Sequence, residues 1–217
     1  MRMLLALVAT ILFTATSQAT DRPADAAYNW TGLYAGAHIG KAWGDSGNSW
    51  RNASAGYPDW EPDGNISYSS VTGGLHAGYL WQRNALVYGI EGDVSWASFE
   101  GNDSQFAGLV NAIEIDFVGT IRARAGIARA NSLIYATGGI AFSSMDKKDL
   151  SSGNSAKHDL VGWTVGGGYE HAIGSKLRAR VEYQYIDFGS VISGLIYDHR
   201  ANDVRIHAVR AGLSYGF

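Results

Sequence analysis

Ten charged residues sit within or beside otherwise apolar stretches: Glu91, Asp93, Asp116, Arg122, Arg124, Glu170, Arg178, Arg180, Glu182 and Arg210. Where they recur two apart, as in Glu91/Asp93, Arg122/Arg124 and Arg178/Arg180/Glu182, an extended chain puts both on one face. Five carboxylates against five guanidinium groups predict a paired network, because an unpaired charge taken out of water is costly. The alternative reading of the same residues is the lining of a narrow channel. His38 and His76 are two imidazoles of equal parity on neighbouring segments, the start of a metal or haem site without a third ligand, or polar filling. Asp59, Glu61 and Asp63 alternate in one polar stretch, but calcium needs 6–8 oxygen ligands and usually a glycine turn, so a solvated acidic loop is expected. Lys147-Lys148 and Lys157-His158 could touch lipid phosphates or only water. No spacing among the serines and His158, His171, His199 and His207 singles out a nucleophile with its base, and such constellations are set by geometry rather than order. No catalytic residue, no cofactor and no metal are expected, and the chain is read as a non-enzyme.

Composition narrows the class. The 217 residues include 28 glycines, 3 prolines, no cysteine, 7 Trp, 12 Tyr and 7 Phe, with 46% hydrophobic and 17% charged residues. The absence of cysteine excludes a disulfide scaffold, a thiolate metal site and a thiol nucleophile. A formal net charge of −3 offers no basic footprint, so no nucleic-acid partner is expected. Met1-Arg2-Met3, the apolar run Leu4 to Ala15 and the small residues of Ser17-Gln18-Ala19 have the layout of a secretory signal peptide over residues 1–19. That run is too short to span a bilayer. Residues 20–28 are read as a short periplasmic segment and 29–217 as the folded domain.

The elements that must hold the charges are strands. After residue 28 the pattern is period two, in eight segments: Trp30–Trp43, Val71–Gln82, Leu86–Phe99, Ile113–Ala128, Leu133–Ser143, Val161–His171, Lys176–Phe188 and Val204–Phe217. The fifth is apolar at both parities and its facing is ambiguous. The prolines, Pro23, Pro58 and Pro62, fall outside all eight, as ladder hydrogen bonding favours. Long polar connections (Gly44–Ser70, Gly101–Asn111, Ser144–Asp159, Gly189–Asp203) alternate with short ones (Arg83-Asn84, Arg129–Ser132, Ala172–Ser175). In an up-and-down sheet this places every long loop at one end, the asymmetry of outer-membrane barrels.

Alternation does not say which face is inside. A secreted soluble barrel turns its apolar residues inward, and a membrane barrel turns them out. Mid-strand charges, glycines concentrated on the polar parity and aromatics near strand ends on the apolar parity (Trp43, Trp81, Trp96, Tyr169, Tyr215, Phe217) favour the membrane arrangement. An interior of eight strands is just wide enough for side chains to fill, so a plugged lumen is expected. The fold expected is an all-β, eight-stranded antiparallel up-and-down transmembrane barrel preceded by a cleaved signal peptide.

Asn29-Trp30-Thr31-Gly32-Leu33-Tyr34-Ala35-Gly36 resembles the N-W-T-G-F-Y-x-G opening of small bacterial outer-membrane immunogenic proteins, "porin family" surface antigens with an OmpA-like barrel. Leu33 departs from the usual aromatic. Gly119–Gly126, Leu133–Ala141 and Val181–Tyr185 are further matches, and Val209–Phe217 looks like the closing strand of that family. The resemblance implies a bacterial outer-membrane location, a structural role in the envelope and the presentation of loops at the surface. It implies lipid and lipopolysaccharide as surroundings, an unknown surface ligand, and recognition of the terminal Phe217 by the outer-membrane assembly machinery. A narrow porin-like channel, haemin binding and a barrel lipid hydrolase stand as alternatives. The first long connection, with Trp50, Tyr57 and Trp60, matches no motif of the family.

Overall fold

The computed structural model describes residues 28–52, 57–97, 111–149, 155–189, 191–194 and 198–217, with side chains for 28–45, 67–97, 117–144, 159–189 and 204–217. The expected signal peptide and residues 20–27 of the segment after it lie outside the described residues. So do the side chains of Asp59, Glu61, Asp63, Asp116, Lys147, Lys148, Lys157 and His158.

Nine strands run in chain order: β1 (Gly32–Asn52), β2 (Tyr57–Arg83), β3 (Leu86–Ala97), β4 (Asn111–Arg129), β5 (Ser132–Asp149), β6 (Ser155–Ala172), β7 (Leu177–Asp187), β8 (Val191–Gly194) and β9 (Asp198–Gly216). The sheet is antiparallel throughout, and β1 pairs with β9 to close it. Eight strands therefore make a closed all-β barrel, while the short β8 pairs only with β9 among the described residues. Closure removes the sheet edge that would otherwise leave backbone groups unsatisfied in hydrocarbon.

The turns at one end are tight. Asn84 (φ 56°) opens the two-residue link between β2 and β3, and Ala130 (φ 51°) opens the one between β4 and β5. A left-handed residue at the first loop position suits the right-handed twist of a hairpin. At the other end the strands run further than their polar composition predicts. β1 and β2 stay paired out to Asn52↔Tyr57, and β5 and β6 to Lys148↔Ser155. Much of the stretches expected as loops at 44–70, 144–159 and 189–203 is strand. Pro58 and Pro62 lie inside β2 rather than outside it, beside register shifts at Gly47/Ser49 and Trp50/Asn52. Polarity is a poor guide here, since once register is set each further pair adds ladder bonds whatever its side chains.

Burial assigns the faces. β3 alternates exposed and buried without exception from Leu86 to Ala97. Outward residues are mostly apolar, among them Val71 (70% exposed), Ile134 (69%) and Val161 (73%). The ambiguous fifth segment resolves the same way: Leu133, Tyr135, Thr137, Ala141 and Ser143 point in, and Ile134, Ile140 and Phe142 point out. Among the described residues, all the exposed aromatics except Tyr183 fall in two belts, Tyr79, Trp81, Tyr88, Tyr169, Tyr215 and Phe217 near the tight turns and Trp43, Trp96, Phe142 and Trp163 towards the long strands. Belts at both rims of an apolar band match the two interfaces of a bilayer.

Candidate functional site

The interior is layered. Near the tight turns Trp30, Tyr34, Leu80, Val87, Leu133, Tyr135 and Ala172 form a buried cluster, with Tyr28 and Ala128 packed against it. Towards the long strands Ala42, Ala97, Val118, Ala141, Leu160, Ile186, Phe188, Val204, Ile206 and Ala208 form a second. The charges lie between these two apolar floors.

Five strands supply the charged layer: Glu91 and Asp93 from β3, Arg122 and Arg124 from β4, Glu170 from β6, Arg178, Arg180 and Glu182 from β7, and Arg210 from β9. All nine are buried, none more than 5% exposed. Cross-strand register makes room for them. Glu91 stands opposite Gly78, Arg122 opposite Gly139, Glu182 opposite Gly168, Arg180 opposite Gly212 and Arg210 opposite Gly40. The inward glycines leave space that large charged side chains fill.

Glu91 is the hub. Its Oε1 accepts from Arg122 Nη2 (2.5 Å), and its Oε2 accepts from Arg180 Nη1 (2.5 Å), Arg124 Nη1 (3.2 Å) and the Tyr34 hydroxyl (2.6 Å). Glu182 accepts from Arg122 Nη1 (2.8 Å), the Tyr135 hydroxyl (2.9 Å) and Arg210 Nη2. Asp93 accepts from Arg210 Nη1 (2.8 Å) and Thr120 Oγ1, with Arg122 Nη2 at 3.1 Å. Glu170 accepts from Arg124 Nη2 and lies 3.9 Å from Arg178 Nη1. Arg178 marks the lower margin, donating from Nε to the Tyr28 hydroxyl (2.9 Å), with the Trp30 and Tyr34 rings also within reach of its guanidinium. Nine of the ten charged residues singled out from sequence thus meet in one layer. Asp116 falls in β4 at the register shift between Ile115 and Val118, and its side chain lies outside the described residues. Among the described residues four carboxylates face five guanidinium groups. The hydroxyl partners Tyr34, Tyr135 and Thr120 were missed from sequence, although each shares the inward parity of its strand.

His38 and His76 do face each other, with Nδ1 atoms 3.5 Å apart. Their Nε2 atoms contact Ser95 Oγ (2.9 Å) and Ser214 Oγ (2.8 Å). Each ring lies opposite a glycine, His76 against Gly36 and His38 against Gly74, and a Cβ at either glycine would come within 2.6 Å of the opposite Nε2. Among the described residues no group of three His, Cys, Asp or Glu side chains is placed to hold a metal ion. Phe217 is 72% exposed, and its N–H donates to Leu33 O at 3.0 Å, tying the last residue to the first strand.

Comparison with known proteins agrees with this architecture. The family profile of the outer membrane protein beta-barrel domain matches residues 5–217. The 31 kDa outer-membrane immunogenic protein of Brucella melitensis is 32% identical, covering 98% of this chain and 93% of its own length. The 22 kDa outer membrane protein of Rhizobium leguminosarum is 28% identical over 79% of this chain and 71% of its own. Among solved structures, OprG from Pseudomonas aeruginosa superposes with a TM-score of 0.61 at 14% identity, covering 88% of this chain and 98% of its own. Neisserial surface protein A does so with a TM-score of 0.52 at 15% identity, covering 86% and 98%. The outer membrane protease OmpT from Escherichia coli has a TM-score of 0.54 at 9% identity, covering 89% and 99%, a likeness of fold alone. A closed barrel with an apolar outer band, two aromatic belts and these matches make the chain a member of the outer membrane protein beta-barrel family, located in the bacterial outer membrane.

Proposed function

We propose that this protein is a structural, non-conducting barrel that stabilises the outer membrane and presents its long hairpins outside the cell, without enzymatic activity. The observation that carries this reading is the Glu91 hub, closed above and below by apolar clusters. An ion that entered the lumen would have to break buried charge pairs, and removing one partner of such a pair costs about 3–5 kcal/mol. In this reading residues 1–19 direct export and are removed, Phe217 is the assembly signal, and lipid and lipopolysaccharide surround the wall. The ligand of the hairpins is a surface molecule of unassigned chemistry.

The test is genetic. Deleting the gene should sensitise cells to detergent, and expressing the intact protein should restore resistance, with its hairpins cleaved by protease added to whole cells. Wild-type detergent resistance in the deletion strain, or hairpins shielded from external protease, would overturn the proposal.

A further inference from the structure

The outer wall carries a polar cluster that the lumen does not use. Ser132 and its cross-strand partner His171, with Tyr169 two residues before, face lipid close to the tight turns. Ser132 Oγ lies 2.8 Å from the Tyr169 hydroxyl and 3.1 Å from His171 Nδ1, and the tyrosine hydroxyl is 3.4 Å from the same nitrogen. The two hydroxyls thus engage Nδ1 and leave Nε2 as the ring nitrogen outside the cluster. His171 Nε2 is therefore the ring nitrogen that can meet a ligand. Arg129, the register partner of Ser132 on β4, is exposed and makes no ion pair among the described residues.

An open groove of about 650 Å³ begins at Tyr169 and His171, within the ~300–1,000 Å³ range of ligand sites. Two outward rows line it: His171, Ala179, Leu213 and Ala37, then Tyr169, Val181, Ala211 and Ile39. The alanines lower the wall between bulkier neighbours. The second row also climbs. Tyr169 stands three residues from the end of its strand at Ala172, Val181 four from Leu177, Ala211 five from Gly216 and Ile39 seven from Gly32. The groove thus rises from a polar rim into the apolar band, as a lipid tail leaves its headgroup.

We propose that this groove binds one phospholipid of the periplasmic leaflet. Arg129 and His171 Nε2 hold its phosphate or ester oxygens, and one acyl chain lies along Ala179, Ala211 and Ala37. The occupant is a phospholipid because Arg129 and His171 stand on one cross-strand row beside the groove, while the outward side chains beyond that row, Ala179, Leu213, Ala37, Val181, Ala211 and Ile39, are apolar. The leaflet follows from the tight turns, which face the periplasm in this family of barrels.

Native mass spectrometry of the full chain folded in detergent, titrated with palmitoyl-oleoyl-phosphatidylglycerol, tests this directly. The wild type should retain one lipid. Arg129→Gln should weaken retention about tenfold, the loss of one charge-assisted hydrogen bond, and Ala211→Phe should do so by filling the groove. Ala123→Phe, on the outer wall away from the groove, should bind as the wild type does, and inorganic phosphate should not compete. Heat-dependent gel mobility identifies any variant that has failed to fold, and His171→Leu then serves in its place. Equal retention by the groove variants, or displacement by inorganic phosphate alone, overturns the proposal, while the closed lumen is read by conductance and stands or falls separately.

Discussion

Glu91 receives three guanidinium groups and one phenol, whereas Glu182 receives two guanidinium groups and one phenol. The convergence on Glu91 makes the shared carboxylate costlier to lose than any one of its partners. Glu91→Gln leaves Arg122, Arg124 and Arg180 short of negative charge in a buried layer and should cost about 3–5 kcal/mol. Arg180→Leu leaves Glu91 with Arg122, Arg124 and Tyr34, so its cost should be smaller, about 1–3 kcal/mol. Urea titration of the folded barrel in detergent measures both. Equal stabilities for the two variants and the wild type would mean that these side chains are solvated. The participating charges were legible in the sequence because their i, i+2 recurrence within apolar strands marks a polar face enclosed by the sheet. Their partners were not, since which hydroxyl meets which carboxylate depends on register and barrel closure, and Tyr34 lies 57 residues from Glu91.

At the scale of the strand and turn, alternation carried most of the information. It assigned lipid-facing residues correctly wherever one parity was polar. It failed for Leu133–Ser143, because there the inward residues Leu133, Tyr135 and Ala141 belong to the apolar floors of the lumen and two apolar parities leave no contrast. Facing can be tested by substitution. Ile121→Arg, on the outer wall at 56% exposure, should cost about 2–4 kcal/mol if it lies near the bilayer midplane, and a cost near zero in lipid vesicles would place it outside hydrocarbon. The tight turn offers a second test. Ala130 holds φ 51°, where its Cβ crowds the backbone by about 1–2 kcal/mol. Ala130→Gly relieves that crowding but adds about 0.4–1 kcal/mol of unfolded-state entropy, so a gain of up to about 1.6 kcal/mol in urea stability is expected. A clear loss would show that the turn does not need the left-handed conformation.

For the whole molecule, composition pulls in two directions: 46% hydrophobic residues with 7 Trp, 12 Tyr and 7 Phe, yet a mean hydropathy of −0.09. Within the apolar band, alternate residues of each barrel strand face lipid and the rest fill a polar-centred lumen, which reconciles them. The glycines belong to the same design, standing opposite the arginines and carboxylates they admit. The three-tiered interior is what the sequence concealed, because an apolar residue on the inward parity looks like noise in a pattern whose inward side is expected to be polar. The tiers are also what closes the barrel, and conductance of the purified protein in planar lipid bilayers tests that most directly. A lumen closed in this way predicts no steady unitary current across the physiological voltage range. Reproducible open channels of uniform conductance would contradict it.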